Sequence, residues 1–392
     1  MPLNLFGAKP KKRRRRKTTK TSAVRRRRSS SSTRTRRRTS RTRRTSARTK
    51  ALRKLRIFLI GFFSALVAIL VLLGVAVYKF IHAPFTSAST AEYSNTDLVW
   101  SNKSTNLLIV KVDNSDDKYS EINKLFLVNF DKDNYHYSIY EIPTGEEIEY
   151  ALNYGSGPLS RVYAVGNADE ERGVYLLKKT ILKQLAIKAD GYIIVDNKGF
   201  DAIQEVIGEI NPEDLSATLR LKNLPKIPSL IATFRKNAVT DLKLADIYSV
   251  FTFIRKTSET SSENTEITIY QLIEPEKWDD LWQGRLNTSE FKKEGIKVFI
   301  ANGSENPRIP GLASWGSRVV ENLGGVVLDT QNSFAVFDES VIITEDPDLT
   351  TVKELAATLE ITNIININDL DKSQRYNPQI ERTPVSLILT DY

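Results

Sequence analysis

From Ile57 to Tyr78 the chain reads IFLIGFFSALVAILVLLGVAVY, twenty-two residues without a charge. A helix of that length rises roughly 33 Å, about the hydrocarbon thickness of a bilayer, and satisfies every backbone group internally. The run therefore predicts one transmembrane helix over residues 57–81. A cleavable signal peptide fits less well, because the apolar run is too long and the segment ahead of it far exceeds a signal's basic region.

Charge is divided about this run. Of the 57 Lys and Arg, 25 stand in residues 1–56 with no Asp or Glu, and the other 32 share the rest of the chain with all 47 acidic residues. Cationic flanks remain in the cytoplasm, so the expected placement is plasma membrane, single-pass, with the N-terminus inside and the C-terminal domains extracytoplasmic. Residues 1–56, with Arg25–Arg28 and Ser29–Ser32, hold too little apolar surface to offset chain entropy and read as a disordered basic tail. Its natural partners are the lipid bilayer's anionic headgroups. Nucleic acid is not expected, since no aromatic side chain interrupts the basic run for base stacking. Ser and Thr beside Arg also offer kinase sites, whose phosphates would weaken attraction to anionic lipid.

No cysteine occurs, so disulfides, thiolate metal sites and cysteine nucleophiles are excluded. With only His82 and His136, a His-rich metal site or a His-based triad has almost no raw material.

Residues 82–103 read as a polar stalk. Short β-branched runs follow at Leu107–Val112, Leu125–Phe130 and Tyr135–Ile142, bounded by Asp, Asn and Gly as strands are. Val174, Leu177, Ile181, Leu182 and Leu185 then repeat at helical spacing, ahead of a strand at Tyr192–Val195 and a helix around Phe200–Ile207. This order predicts an α/β domain over 104–256. Residues 257–294 read as linker and connecting segment. A smaller α/β domain over 295–392 is expected from strands at Ile296–Ala301, Val326–Leu328, Ser340–Ile343, Asn363–Ile367 and Val385–Leu389. Helical stripes containing Trp315 and Leu355 separate them, and Trp315 is assigned to the core.

In this order the two units resemble the LytR-CpsA-Psr (LCP) family followed by its LytR C-terminal domain. The resemblance rests on Asn106–Asp113, Leu125–Pro143, Tyr163–Gly166, Ala189–Phe200, Leu242–Leu244 and Glu266–Leu272 in the first unit. In the second it rests on Val298–Gly303, Pro310–Ala313, Leu323–Gly325 and Val341–Ile343. It implies a mixed sheet with flanking helices, then a smaller α/β domain, both behind a membrane anchor. It also implies a phosphotransferase that moves a glycopolymer from a polyprenyl-pyrophosphate carrier onto the cell wall, with arginines and Mg²⁺ gripping the pyrophosphate. Fixed guanidinium groups and a divalent cation stabilise charge on transferring phosphate oxygens.

The arginine motifs are largely missing. Ser120–Lys124 (SEINK) replaces an Arg-Ser-Asp-Thr-like segment, Ile142–Gly145 (IPTG) replaces Ile-Pro-Arg-Asp, and the stretch after Ile210 is too short for the usual Arg-x-Arg loop. What remains as candidate ligand-binding residues is Asp113, at the end of the first strand, with Arg161, Arg172 and Arg220. The expectation is a non-catalytic relative without a cofactor that binds envelope glycopolymer, its polyprenyl-linked carrier or an envelope protein. The alternative is a divergent transferase, in which Asp113 would hold Mg²⁺ and the arginines would converge on it.

Overall fold

The computed structural model describes residues 67–76, 78–79, 104–114, 117–132, 134–169, 172–200, 237–260, 267–269, 271–272, 274–282, 289–305, 308–370 and 378–391. Residues 67–76 and 78–79 are helical with exposed side chains, and the first half of the apolar run, like the basic tail and the stalk, lies outside the described residues. No helix among the described residues is long and apolar enough to cross a membrane. The expected transmembrane helix is corrected on that finding, and with it the plasma-membrane, single-pass placement. Hydropathy produced the first expectation, and hydropathy together with the basic flank produced the second.

Residues 73–392 form one compact unit built on two sheets. In the first, β1 (Ser104–Val112), β2 (Ile122–Asp131) and β3 (His136–Ile142) make an antiparallel meander. After a small hairpin, β4 (Glu147–Glu149) and β5 (Ser156–Pro158), come helices α1 (Val162–Ala168) and α2 (Gly173–Leu185). They carry the chain back to β6 (Gly191–Asp196), which lies parallel to β1. Strand β7 (Ala238–Thr240) pairs antiparallel with β6, helix α3 (Leu244–Thr260) follows, and β8 (Ile267–Ile269) closes the far edge against β3.

Strand alternation gives the sheet two covered faces. Leu108, Val110 and Val112 of β1 point into a core with Leu176, Leu177, Ile181 and Leu185 of α2 and with Trp278 of α4 (Pro275–Trp282). Leu107 points the other way, into a cluster with Phe130, Tyr137, Ile139, Leu242 and Phe253 of α3. Helix α2 occupies the residues its apolar stripe marks out, and it ends at Ala186 in the left-handed conformation, whose N–H bonds the Leu182 carbonyl at 2.8 Å.

The second sheet runs β10-β9-β13-β11-β12. Strand β9 (Lys297–Asn302) leads through α6 (Leu312–Asn322) to the parallel β10 (Val326–Asn332). Strand β11 (Val341–Thr344) leads through α7 (Thr350–Leu359) to β12 (Ile364–Asn366). After α8 (Pro378–Arg382), β13 (Val385–Leu389) inserts between β9, to which it is parallel, and β11, to which it is antiparallel. Trp315 is buried in this core with Val319, Val320 and Leu355, as its place on the stripe predicts. Phe291, on the short α5 (Ser289–Glu294), joins the same cluster.

Helix α6 docks on the open end of α2. The last carbonyls of any helix lack intrahelical donors. Here Trp315 Nε1 donates to the Leu182 carbonyl at 3.3 Å, Arg318 Nη2 to that of Gln184 at 3.3 Å, and Asn322 Nδ2 to that of Ala186 at 3.3 Å. A guanidinium at a helix C-terminus also opposes the negative end of the helix dipole. Arg318 is fixed in turn by Asp279 of α4.

Candidate functional site

Asp113 follows β1 at the carboxyl end of the strand, beside the carboxyl end of the parallel β6, where open α/β sheets commonly hold ligands. One carboxylate oxygen accepts from Asn123 Nδ2 at 2.8 Å and from Asn197 Nδ2 at 3.3 Å. Asn123 lies on β2, and Asn197 directly follows β6, eighty-four residues from Asp113 in sequence. The turn leaving β1 is closed by Ser120 Oγ, which accepts the Asn114 N–H at 2.9 Å. At its tip Tyr119 is 59 % exposed, with Lys118 Nζ 5.2 Å from the ring centre. The rim of the sheet thus sets amides and a hydroxyl around the Asp113 carboxylate beside an exposed aromatic ring, with Asp117 in the same turn accepting the Tyr119 N–H at 2.9 Å.

Arg161 reaches the same end of the sheet. Its Nε donates to Glu121 Oε1 at 3.0 Å, and Glu121 immediately precedes β2, whose Ile122 is in register with Val112. Both side chains of this pair are exposed, so water screens them and the pair contributes little to stability. Arg172 stands elsewhere, at the N-terminus of α2, where its backbone N–H bonds the Gly166 carbonyl at 2.9 Å. Arg220 lies outside the described residues. No described contact joins Arg161 or Arg172 to Asp113.

The rim does not fit Mg²⁺. That cation takes oxygen ligands in a near-octahedral shell, whereas Asp113 is a single carboxylate toward which two amide N–H groups already point. Among the described residues no three His, Asp or Glu side chains are placed to share a metal ion.

A second polar cluster, which the sequence reading did not single out, lies at the opposite end of the sheet. Asp190 is half-buried just ahead of β6 and accepts the Asn106 N–H at 2.8 Å. Asp241, just after β7, accepts the Tyr192 N–H at 2.9 Å. Burial raises both carboxyls, Asp241 to about 6, against the pull of Lys178, whose Nζ stands 3.8 Å from Asp241 Oδ2. Asp246, buried on α3, reaches back to the Lys243 N–H at 3.0 Å as a capping acid. Burial lowers Lys132 beside them to about 8, while Asp190 and Asp246 pull it upward. The signal available in sequence was only an Asp immediately ahead of one strand and another immediately after its neighbour. Nothing local pairs residues fifty positions apart.

No protein-family model matches the chain, and no curated protein matches it. Solved structures do. "TagT bound to LI-WTA" is 18 % identical, covering 43 % of this chain and 78 % of that one with a TM-score of 0.30. TagV from B. subtilis is 15 % identical, covering 43 % and 84 % with a TM-score of 0.33. Protein gbs0355 from Streptococcus agalactiae is 12 % identical, covering 43 % and 77 % with a TM-score of 0.34. Likeness at these TM-scores carries no argument about this chain's fold or function.

Proposed function

We propose that this chain binds a cell-envelope glycopolymer, free or on its polyprenyl-linked carrier, and does not transfer it. The observation that carries the reading is the rim at Asp113. Its amides and carboxylate are the groups that hydrogen-bond sugar hydroxyls, and the exposed Tyr119 ring offers the flat apolar face on which a pyranose stacks. Support for an envelope polymer comes from the chain-order resemblance to LCP proteins, from Asn106–Asp113 through Val341–Ile343. The lack of arginine in Ser120–Lys124 and Ile142–Gly145 supports binding over transfer, since phosphoryl transfer draws on guanidinium groups placed to meet developing phosphate charge.

The test is titration of the purified chain with a fluorescently labelled disaccharide on polyprenyl pyrophosphate and with the same disaccharide free. Saturable binding of both is expected, weakened at least tenfold in a chain carrying Tyr119→Ala and Asn123→Ala. No Mg²⁺-dependent release of polyprenyl phosphate should accompany it. Turnover that disappears in Asp113→Ala would overturn the reading in favour of a divergent transferase.

A further inference from the structure

A cavity of about 30 Å³ lies where the two sheets meet, lined from the first by Ser104, Asn106 and Asp190 and from the second by Asn322, Glu354 and Thr358. That is room for one or two particles the size of a water molecule. Three helices end around it. Ala186, which closes α2, Asn322, the last residue of α6, and Thr358, in the last turn of α7, all stand in its wall. The negative poles of three helix dipoles thus converge on one space. Arg318 answers the pole of α2, and Lys188, which donates to the Ala357 carbonyl at 2.9 Å, answers that of α7, whereas α6 has no basic residue in its last turn.

The wall offers oxygen. Asn129 Nδ2 donates to Ser104 Oγ at 3.0 Å and to Asn106 Oδ1 at 2.8 Å, which fixes both acceptors while each keeps a further lone pair. Asp190 and Glu354 set two carboxylates against the one ammonium of Lys188. Thr358 is 3 % exposed, and its Oγ1 has no hydrogen-bond partner among the described residues. Other helical hydroxyls of this chain turn back to the carbonyl four residues earlier, as Thr252 does to Tyr248 at 2.8 Å and Thr257 to Phe253 at 3.0 Å. Thr358 forgoes that bond. A buried hydroxyl so left is destabilising unless something in the cavity meets it.

We propose that this cavity binds a monovalent cation of about a water molecule's radius, of which potassium is the type, and that the bound ion ties the second sheet to the first. The field of three negative poles and two carboxylates favours positive charge, and hydroxyl, amide and carboxylate oxygens suit a hard ion. Divalent ions fit less well. Ca²⁺ and Mg²⁺ draw on carboxylates and demand full oxygen shells. Here no three His, Asp or Glu side chains are grouped among the described residues, and Lys188, Lys178 and Lys132 already act on Asp190. Water, the neutral particle of the same size, is the competing occupant.

The experiment is thermal unfolding of the full chain, followed by circular dichroism, as KCl replaces N-methylglucamine chloride at constant ionic strength and pH. Tm should rise saturably by about 3 °C, with NaCl less effective at equal concentration. Thr358→Val keeps the shape of the side chain and removes the orphaned oxygen. In N-methylglucamine chloride this variant should be at least as stable as the parent, and its Tm should no longer respond to potassium. Asp190→Asn, which keeps an acceptor for the Asn106 N–H, should need at least tenfold more KCl for the same rise. Should Thr358→Val fail to fold, Asp190→Asn carries the test alone. Equal Tm in the two salts means that the cavity holds water, and overturns the proposal. So does an undiminished potassium response in either variant, a response to NaCl that matches KCl, or saturation by Mg²⁺ at a lower concentration than by K⁺.

Discussion

Arg318 Nε donates to Asp279 Oδ2 at 2.6 Å and Arg318 Nη2 to Asp279 Oδ1 at 3.2 Å, a two-point clasp between α6 of the second sheet and α4 of the first. The pair is half-buried, with side chains 22 % and 28 % exposed, so it is better shielded than the surface pair of Arg161 and Glu121. Because Nη2 also meets the Gln184 carbonyl, one side chain ties three helices together.

Replacing Arg318 with Ala leaves the Asp279 carboxylate with the long 3.4 Å bond from Asn322 Nδ2 and takes the Arg318 donor from the Gln184 carbonyl at the end of α2. We expect a loss of about 2 kcal/mol in urea unfolding, and a transition that broadens or splits as the two sheets unfold separately. The cycle completed with Asp279→Ala should show a coupling of about 1 kcal/mol or more.

Asp241 makes stability fall as pH rises. Burial lifts its carboxyl to about 6 from an ordinary 3.8, so the folded chain holds this proton more tightly than the unfolded chain does. The resulting stabilisation is fully present below pH 3.8 and is lost as pH passes up through 6. Between pH 5 and pH 7 it should fall by about 1 kcal/mol. Asp241→Asn keeps an acceptor for the Tyr192 N–H and removes the titration, so the stability difference between parent and variant should vary with pH by that amount.

Glu294 has the opposite sign. The first N–H groups of α7 receive no bond from the side chain of their own N-cap residue, Leu349, and Glu294 of α5 accepts from Thr350 N at 2.7 Å and from Thr351 N at 2.8 Å. Burial pushes this carboxyl up, but the bonds from Thr351 and Thr350 outweigh it and hold it below the usual value. Its contribution is therefore present above the unfolded chain's carboxyl range and lost as pH falls. Glu294→Ala should cost about 1–2 kcal/mol at pH 7 by thermal or urea unfolding, and progressively less below pH 4.

Gly166, in the Tyr163–Gly166 segment, is held close to the start of α2. A Cβ there would stand 2.8 Å from Gly173 Cα and 2.9 Å from the Arg172 carbonyl oxygen. Backbone cannot swing aside as a side chain can, so Gly166→Ala should destabilise by about 1–3 kcal/mol despite Ala's better helix propensity. Differential scanning calorimetry would show a lower Tm.

Where apolar periodicity was strong, the sequence was legible. The stripe from Val174 to Leu185 marks α2, and Val385–Leu389 marks β13. Weaker pattern failed at the β4–β5 hairpin, three residues a side, and at β10, which runs to Asn332, well past the expected Leu328, because its polar exposed half does not alternate. The rim at Asp113 was half visible. Its acid ends an evident strand, but Asn197 and Asn123 reach it only through the pairing of β1 with β6 and with β2. The transmembrane expectation rested on the hydropathy of residues 57–78, of which 57–66 and 77 lie outside the described residues, and no helix among the described residues is long and apolar enough to cross a membrane.

Strand β13 lies in the middle of the second sheet, between β9 and β11, yet comes after the sheet's four other described strands along the chain. Until Leu389 has left the ribosome, β9 with β10 and β11 with β12 are two half-sheets with no shared partner and with raw backbone facing the gap. Each nascent copy therefore passes through an interval in which a chaperone has something to hold, and a premature stop codon a few residues before Val385 would leave the two halves permanently unjoined.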